Sequence, residues 1–288
     1  MFLENIKEAI ASIFSNKMRS VLTMLGIIIG ISSVIIITTI GGSIQSTLTA
    51  TMNSLGGNMV QAYVEARYPE NDEDWDTWEQ PEMTDSDYVT QDMIDGLIEK
   101  YPDEVTGVAA QNYLGSGTIK DDADSKNYAN VNIDGITPEY LEYMKLEMHA
   151  GRNLTKADNQ GKKRVCLIAD TMAERYFAGK DPIGETLSVA TSDGGIFDFV
   201  VVGVYVYNQA LFGKVDTSIP EKDRVTELMI PLQTCFKLQG TDRTGYDYFN
   251  LMIDPLADVN QATTDVLSYF DEMYANNKNF HVSAYNMA

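Results

Sequence analysis

The sequence predicts an α+β protein: an N-terminal transmembrane helix with a stalk, then a discontinuous α+β subdomain carrying an inserted β-rich subdomain. Three observations carry this reading. From Ser20 to Val64 there is no Asp, Glu, Lys or Arg in 45 residues, unlike any water-facing helix. Strand-like runs alternate with helical ones near both ends of the remaining chain, and the middle is rich in strands. The expected segments are 1–19, a cytoplasmic interfacial helix; 20–42, the transmembrane helix; 43–57, the stalk; 58–112 with 241–288, the α+β subdomain; and 113–240, the β-rich insert.

The most apolar stretch, Val21 to Gly42, is 22 residues long. At about 1.5 Å per residue it reaches roughly 33 Å, enough for a hydrocarbon core of about 30 Å. A buried core helix and a secretory leader are the alternatives, but a leader's apolar region is shorter and TTIGGSIQS is a poor cleavage site. Lys7, Lys17 and Arg19 precede the span and the next basic residue is Arg67, which places the N-terminus in the cytoplasm. Beyond the span, 18 basic residues stand against 40 acidic ones, so the bulk is an acidic extracytoplasmic domain.

Before the span, Phe2, Leu3, Ile6, Ile10, Ile13 and Phe14 recur at helical spacing and suit a helix lying on the inner leaflet, or a plain extension of the span. After it, Ile44, Leu48, Met52 and Leu55 continue one apolar face among Ser, Thr and Gln, as a stalk would, and Gly56–Gly57 supply a stop. Gly26 and Gly30 form a small-xxx-small face for close approach of another membrane helix. NMVQAYVEA reads as a strand, and the acidic stretch from Tyr68 to Asp87 as a mobile insertion.

Further along, a helix is expected from Thr90 to Tyr101 with Thr90 as cap and Met93, Ile94, Leu97 and Ile98 buried, then strands near Val105–Asn112 and Thr118. NYANVNIDGI reads as a strand. Thr137 and Pro138 are expected to open a short helix, PEYLEYMKL. KRVCLIAD is a buried strand whose Asp170 caps the helix TMAERYF; FAGKDPIGETLSV gives a turn and a strand. FDFVVVGVYVY is a long strand, and ELMIPLQTCF a strand entering a short helix. The last elements are the strand YFNLMID, a helix from about Asp258 to Tyr274 with Val259, Ala262, Val266, Phe270 and Met273 on one face, and the strand NFHVSAYN.

The chemistry is mostly one of exclusion. A formal charge of -21 repels a phosphate backbone, so no nucleic-acid partner is expected. There is no GxxxxGKS/T loop for ATP, and GxSxG, HExxH and CxxC are missing, so no catalytic, cofactor or metal residue is assigned. Asp72, Asp74 and Asp76 start like a calcium loop, but Thr77 stands where the turn needs glycine and Met83 where the closing Glu belongs. Asn130, Asn132, Asp134 and Gly135 echo the same loop, but Leu141 occupies the closing position. His149 and His281 are isolated; Cys166 and Cys235 read as two separate buried thiols, with a disulfide left open.

NKMRSVLTMLGIIIGISSVI followed by LGGNMV resembles the first transmembrane segment and stalk of MacB-type ABC transporter permeases. NIDGITPEYLEYMKLEMHAGR, KRVCLIA, FAGKDPIGETL, FVVVGV and MIPLQT resemble successive blocks of that family's extracytoplasmic core domain, in the same order over nearly the whole chain. The resemblance implies a partner ABC ATPase subunit on the cytoplasmic side, a homodimer or paired permease in membrane lipid, and a stalk that transmits ATP-driven closure to the outer domain. It also implies three later helices, and the chain stops at Ala288, where the second span would begin, as a fragment or a truncated product would. The leading expectation is the N-terminal part of a permease acting on a peptide, lipid or lipoprotein-like substrate. The alternatives are a single-span surface binding protein or sensor, and a regulator of a cell-wall hydrolase.

Overall fold

The computed structural model describes residues 4–8, 17–54, 59–69, 78–121, 126–208, 211–212, 218–241 and 243–286. They fall into two compact units, 1–54 and 55–288. The first is dominated by one helix, α1 (Lys17–Ser54), which runs without a break through Gly41 and Gly42. Its apolar section Val21–Ile40 has a mean hydropathy of 2.5 and is long enough to cross a membrane. Residues 4–8 are helical, and Ile6 is exposed; the rest of the expected inner-leaflet stripe lies outside the described residues.

The second unit holds two sheets. One is a four-stranded antiparallel sheet in the order β11-β1-β10-β2, formed by β1 (Met59–Ala66), β2 (Val105–Ala109), β10 (Tyr248–Ile253) and β11 (Phe280–Asn286). Its strands come from both ends of the unit, because β1 pairs with the last two strands of the chain. Helices α2 (Gln91–Lys100) and α7 (Val259–Met273) share its core, in which Val60, Ile94, Leu97, Phe249, Val266 and Phe270 are buried. Complete burial of one such side chain stabilises by about 1.5–3 kcal/mol, so Phe270→Ala is expected to cost about 3–5 kcal/mol once its cavity is counted. Both helices start at side-chain caps: Thr90 Oγ1 accepts from Met93 N at 3.3 Å, and Asp258 Oδ1 from Asn260 N at 2.9 Å.

The other sheet has seven strands in the order β5-β8-β6-β9-β4-β3-β7, and β8 also pairs with β7, so the six strands from β8 to β7 close as a barrel with β5 added beside β8. Its strands are β3 (Gln111–Lys120), β4 (Tyr128–Ile136), β5 (Met148–Gly151), β6 (Val165–Ala169), β7 (Thr186–Thr191), β8 (Ile196–Tyr205) and β9 (Val225–Pro231). β8 is long enough to close the ring because its first half pairs with β7 and its second with β6. β4 with β9 and β6 with β8 run parallel. Ile133, Leu167, Phe199 and Leu228 fill the interior. The helix α6 (Leu232–Leu238) lies so close to β4 that a Cβ on Gly135 would meet Cys235 Sγ at 2.9 Å, so only glycine fits there. Cys166 and Cys235 are both buried free thiols.

Several expectations are corrected. The helix after Pro138 is the single turn α3 (Tyr140–Tyr143), and Thr137 does not cap it. Its hydroxyl instead accepts from Ala110 N at 3.0 Å and donates to Val108 O at 3.0 Å, pinning the corner between β2 and β3. The expected strand at 105–112 is split at that corner. In the helix α5 (Asp170–Phe177) Asp170 is the first helical residue rather than the cap; its carboxylate accepts from Thr171 N and Tyr207 N. On α7 Met273 is 44% exposed, and Tyr269 takes the buried place beside Phe270. Strand β5 and helix α4 (Lys156–Gln160) were not anticipated at all.

Candidate functional site

Two places can carry function, a membrane helix face and a cleft. On α1 every residue from 21 to 40 is exposed, as a helix apolar all round requires of its surroundings. Two hydroxyls in the span bond to the helix's own carbonyls: Ser33 Oγ donates to Ile29 O at 2.7 Å and Thr38 Oγ1 to Val34 O at 3.0 Å, which lets them sit in hydrocarbon. Gly26 and Gly30 are one turn apart on this helix, and a Cβ at either would meet nothing within 4 Å. Ile44, Leu48 and Met52 follow on the same unbroken helix, while Leu55 lies outside the described residues.

The cleft lies between the two sheets of the second unit and has a volume of about 570 Å³. Strand alternation builds its walls. On β4, Val131 and Ile133 enter the barrel core, while Asn132 and Asp134 line the cleft. The parallel register sets Glu227 of β9 beside Asn132. On β10, Phe249 and Leu251 are core residues, and Tyr248 and Asn250 face the cleft. Tyr140 and Tyr143 of α3 add aromatic surface with ring centroids 5.7 Å apart.

Hydrogen bonds fix one side of this cleft. Tyr140 Oη donates to Gln111 Oε1 at 2.6 Å, and Gln111 Nε2 donates to Asp134 Oδ1 at 2.9 Å. Asp134 is 4% exposed, and burial raises its pKa in spite of the bond from Gln111. Burial, with a smaller contribution from the Asp134 charge, pushes the Glu227 carboxyl up to about 7. Two buried acceptors have no donor: Glu227 Oε2 and Asn250 Oδ1. The arrangement is rich in acceptors and has no basic residue among its described lining residues.

Sequence reasoning reached Gly26 and Gly30 but not the cleft. Asp134 stood out only as an echo of a calcium loop; in the structure Asn130, Asn132 and Asp134 share one face of a strand. There Asn132 Oδ1 accepts from Ser116 at 2.8 Å and Asn130 Oδ1 from Thr118 at 3.1 Å. Residues Asp72, Asp74 and Asp76 lie outside the described residues. Glu227 and Asn250 line one cleft only because the two sheets that carry them face each other, which no local spacing announces.

The sequence model described as the MacB-like periplasmic core domain matches residues 20–269. The chain is 31% identical over 187 residues to an uncharacterized ABC transporter permease, YknZ, of Bacillus subtilis (strain 168), covering 64% of this chain and 43% of that protein. It is 24% identical over 221 residues to the macrolide export ATP-binding/permease protein MacB of Neisseria gonorrhoeae (strain ATCC 700825 / FA 1090), covering 75% of this chain and 30% of that protein. The chain thus spans less than half the length of these curated relatives. Among solved structures, the periplasmic region of MacB from Actinobacillus actinomycetemcomitans superposes with a TM-score of 0.50 at 17% identity, over 81% of this chain and 91% of that one, a likeness of fold.

Proposed function

The chain belongs to the family of MacB-like periplasmic core domains, and from that premise we propose that it is the anchoring and extracytoplasmic part of an ABC transporter permease. In this reading a partner ATPase subunit hydrolyses ATP on the cytoplasmic side, and α1 carries the resulting movement to a domain that acts on a peptide, lipid or lipoprotein-like substrate. The observation that carries it is the unbroken helix Lys17–Ser54. Its 38 residues extend about 57 Å against a hydrocarbon core of about 30 Å, so a rigid rod projects well past the span. A simple anchor has no use for that length.

The N-terminus is cytoplasmic and the second unit extracytoplasmic, because Lys7, Lys17 and Arg19 flank only one side of the span. Gly26 and Gly30 pack on another membrane helix of a homodimer or paired permease, and Ile44, Leu48, Met52 and Leu55 form the stalk's packing face. Purification of the protein from its native membranes through an N-terminal affinity tag is expected to bring down an ABC ATPase. Recovery free of any ATPase would favour a single-span sensor instead.

A further inference from the structure

Independently of how the domain is coupled to the membrane, the cleft between the two sheets has a composition that selects a ligand. Asn250 is 7% exposed and its Oδ1 has no donor; Glu227 Oε2 is buried and has none either. Both are acceptors, and leaving one buried without a partner costs about 1–3 kcal/mol. They come from different sheets, Glu227 from β9 and Asn250 from β10, yet they line the same cleft. The Gln111 amide is already fixed between Tyr140 and Asp134, so it cannot turn to supply a donor to either.

We propose that this cleft binds a small protonated organic amine, whose N–H groups are shared between Glu227 and Asn250 once small side-chain rotations bring their covered oxygens to the cleft, and whose carbon body rests on the tyrosines. The charge of -21 draws cations toward the domain, and the faces of Tyr143 and Tyr248 suit an ammonium and its methylenes. A divalent metal ion fits less well. It takes six or more oxygens when it is calcium, and no three His, Cys, Asp or Glu residues converge among the described residues. The volume of about 570 Å³ is that of a small-molecule site. Burial of Glu227 without a counter-charge disfavours its carboxylate, and an ammonium at hydrogen-bond distance relieves that penalty. An amine held by both acceptors also ties the barrel to the four-stranded sheet.

The test is calorimetric titration of the full 288-residue chain in detergent at pH 8 with hexane-1,6-diamine, hexane-1,6-diol, tetramethylammonium and calcium in turn. The diamine is expected to bind at one site per chain, with the diol and tetramethylammonium at least about tenfold weaker, since one lacks the charge and the other the donors. Glu227→Gln and Asn250→Leu should each weaken the diamine by about tenfold or more, with circular dichroism and the melting profile reporting that the fold persists. Toward lower pH binding should fade as Glu227, whose carboxyl is pushed up to about 7, takes up a proton; the other titratable groups lining the cleft are Asp134, whose carboxyl burial also raises, and the phenols of Tyr113, Tyr140, Tyr143 and Tyr248. Absence of diamine binding would overturn the proposal. So would equal affinity in Glu227→Gln, which means adsorption on the acidic surface; equal affinity for the diol or tetramethylammonium; or a calcium site that Glu227→Gln abolishes.

Discussion

Asp158 accepts from Arg152 Nη1 at 2.6 Å, Lys163 Nζ at 3.0 Å, and the Thr155 hydroxyl and amide at 2.7 and 3.0 Å, whereas Glu227 has one oxygen with no donor. Burial opposes the charge of both. For Asp158 the donors from Arg152, Thr155 and Lys163 outweigh burial and hold its carboxyl well below the usual carboxylate range. Its contribution is therefore present above the unfolded value of about 4 and is lost as pH falls. Asp158→Asn should cost about 3 kcal/mol in urea unfolding at pH 7, and the difference should shrink at pH 3. Glu227 runs the other way. Its raised value means that stability falls as pH rises from about 4.5 to about 7. Glu227→Gln should flatten that slope and leave the variant more stable than the parent at pH 8, as melting temperatures across the range would report. Neither residue was legible in the sequence. Asp158 lies in the five-residue helix α4, too short to show a period, and Glu227 owes its surroundings to strand β4, far away in the chain, and to the neighbouring sheet.

Longer elements were legible because they repeat a pattern over several turns or pleats. Thr90 announced its helix by cap chemistry, the helix beginning at Asp258 announced itself by its apolar period, and FDFVVVGVYVY announced β8 by its run of branched and aromatic residues. Thr137 misled for a reason of the same kind: a hydroxyl before proline suits a helix cap, but here tertiary structure claims it for the corner at Ala110. Helix α1 was legible from charge alone, and its continuity through Gly41 is what a rod requires. Gly26→Leu with Gly30→Leu is expected to reduce cross-linked dimer of the full-length permease in membranes while the second unit stays folded, because bulk on that face blocks close helix approach. Undiminished dimer would make the GIIIG face incidental.

The order of strands in the whole molecule could not have been read in advance, since β1 finds partners in β10 and β11 near the other end of the chain. Its α+β class could be, from helical and strand periods alternating near both ends. A thiol introduced near Glu73 should react with an impermeant reagent on intact cells; reaction only after lysis would reverse the assigned topology. The purified chain should give no heat of ATP binding, for want of a phosphate-cradling loop. The antiparallel pairing of β1 with β11 sets Val60 opposite Asn286, so the chain enters and reaches the end of this sheet side by side. Force applied to both strands together at that end would carry the sheet as a body. Force drawing them apart would peel the ladder one hydrogen bond at a time, in the unzipping rather than the shearing direction, so whatever pulls on the domain must pull on both strands as one.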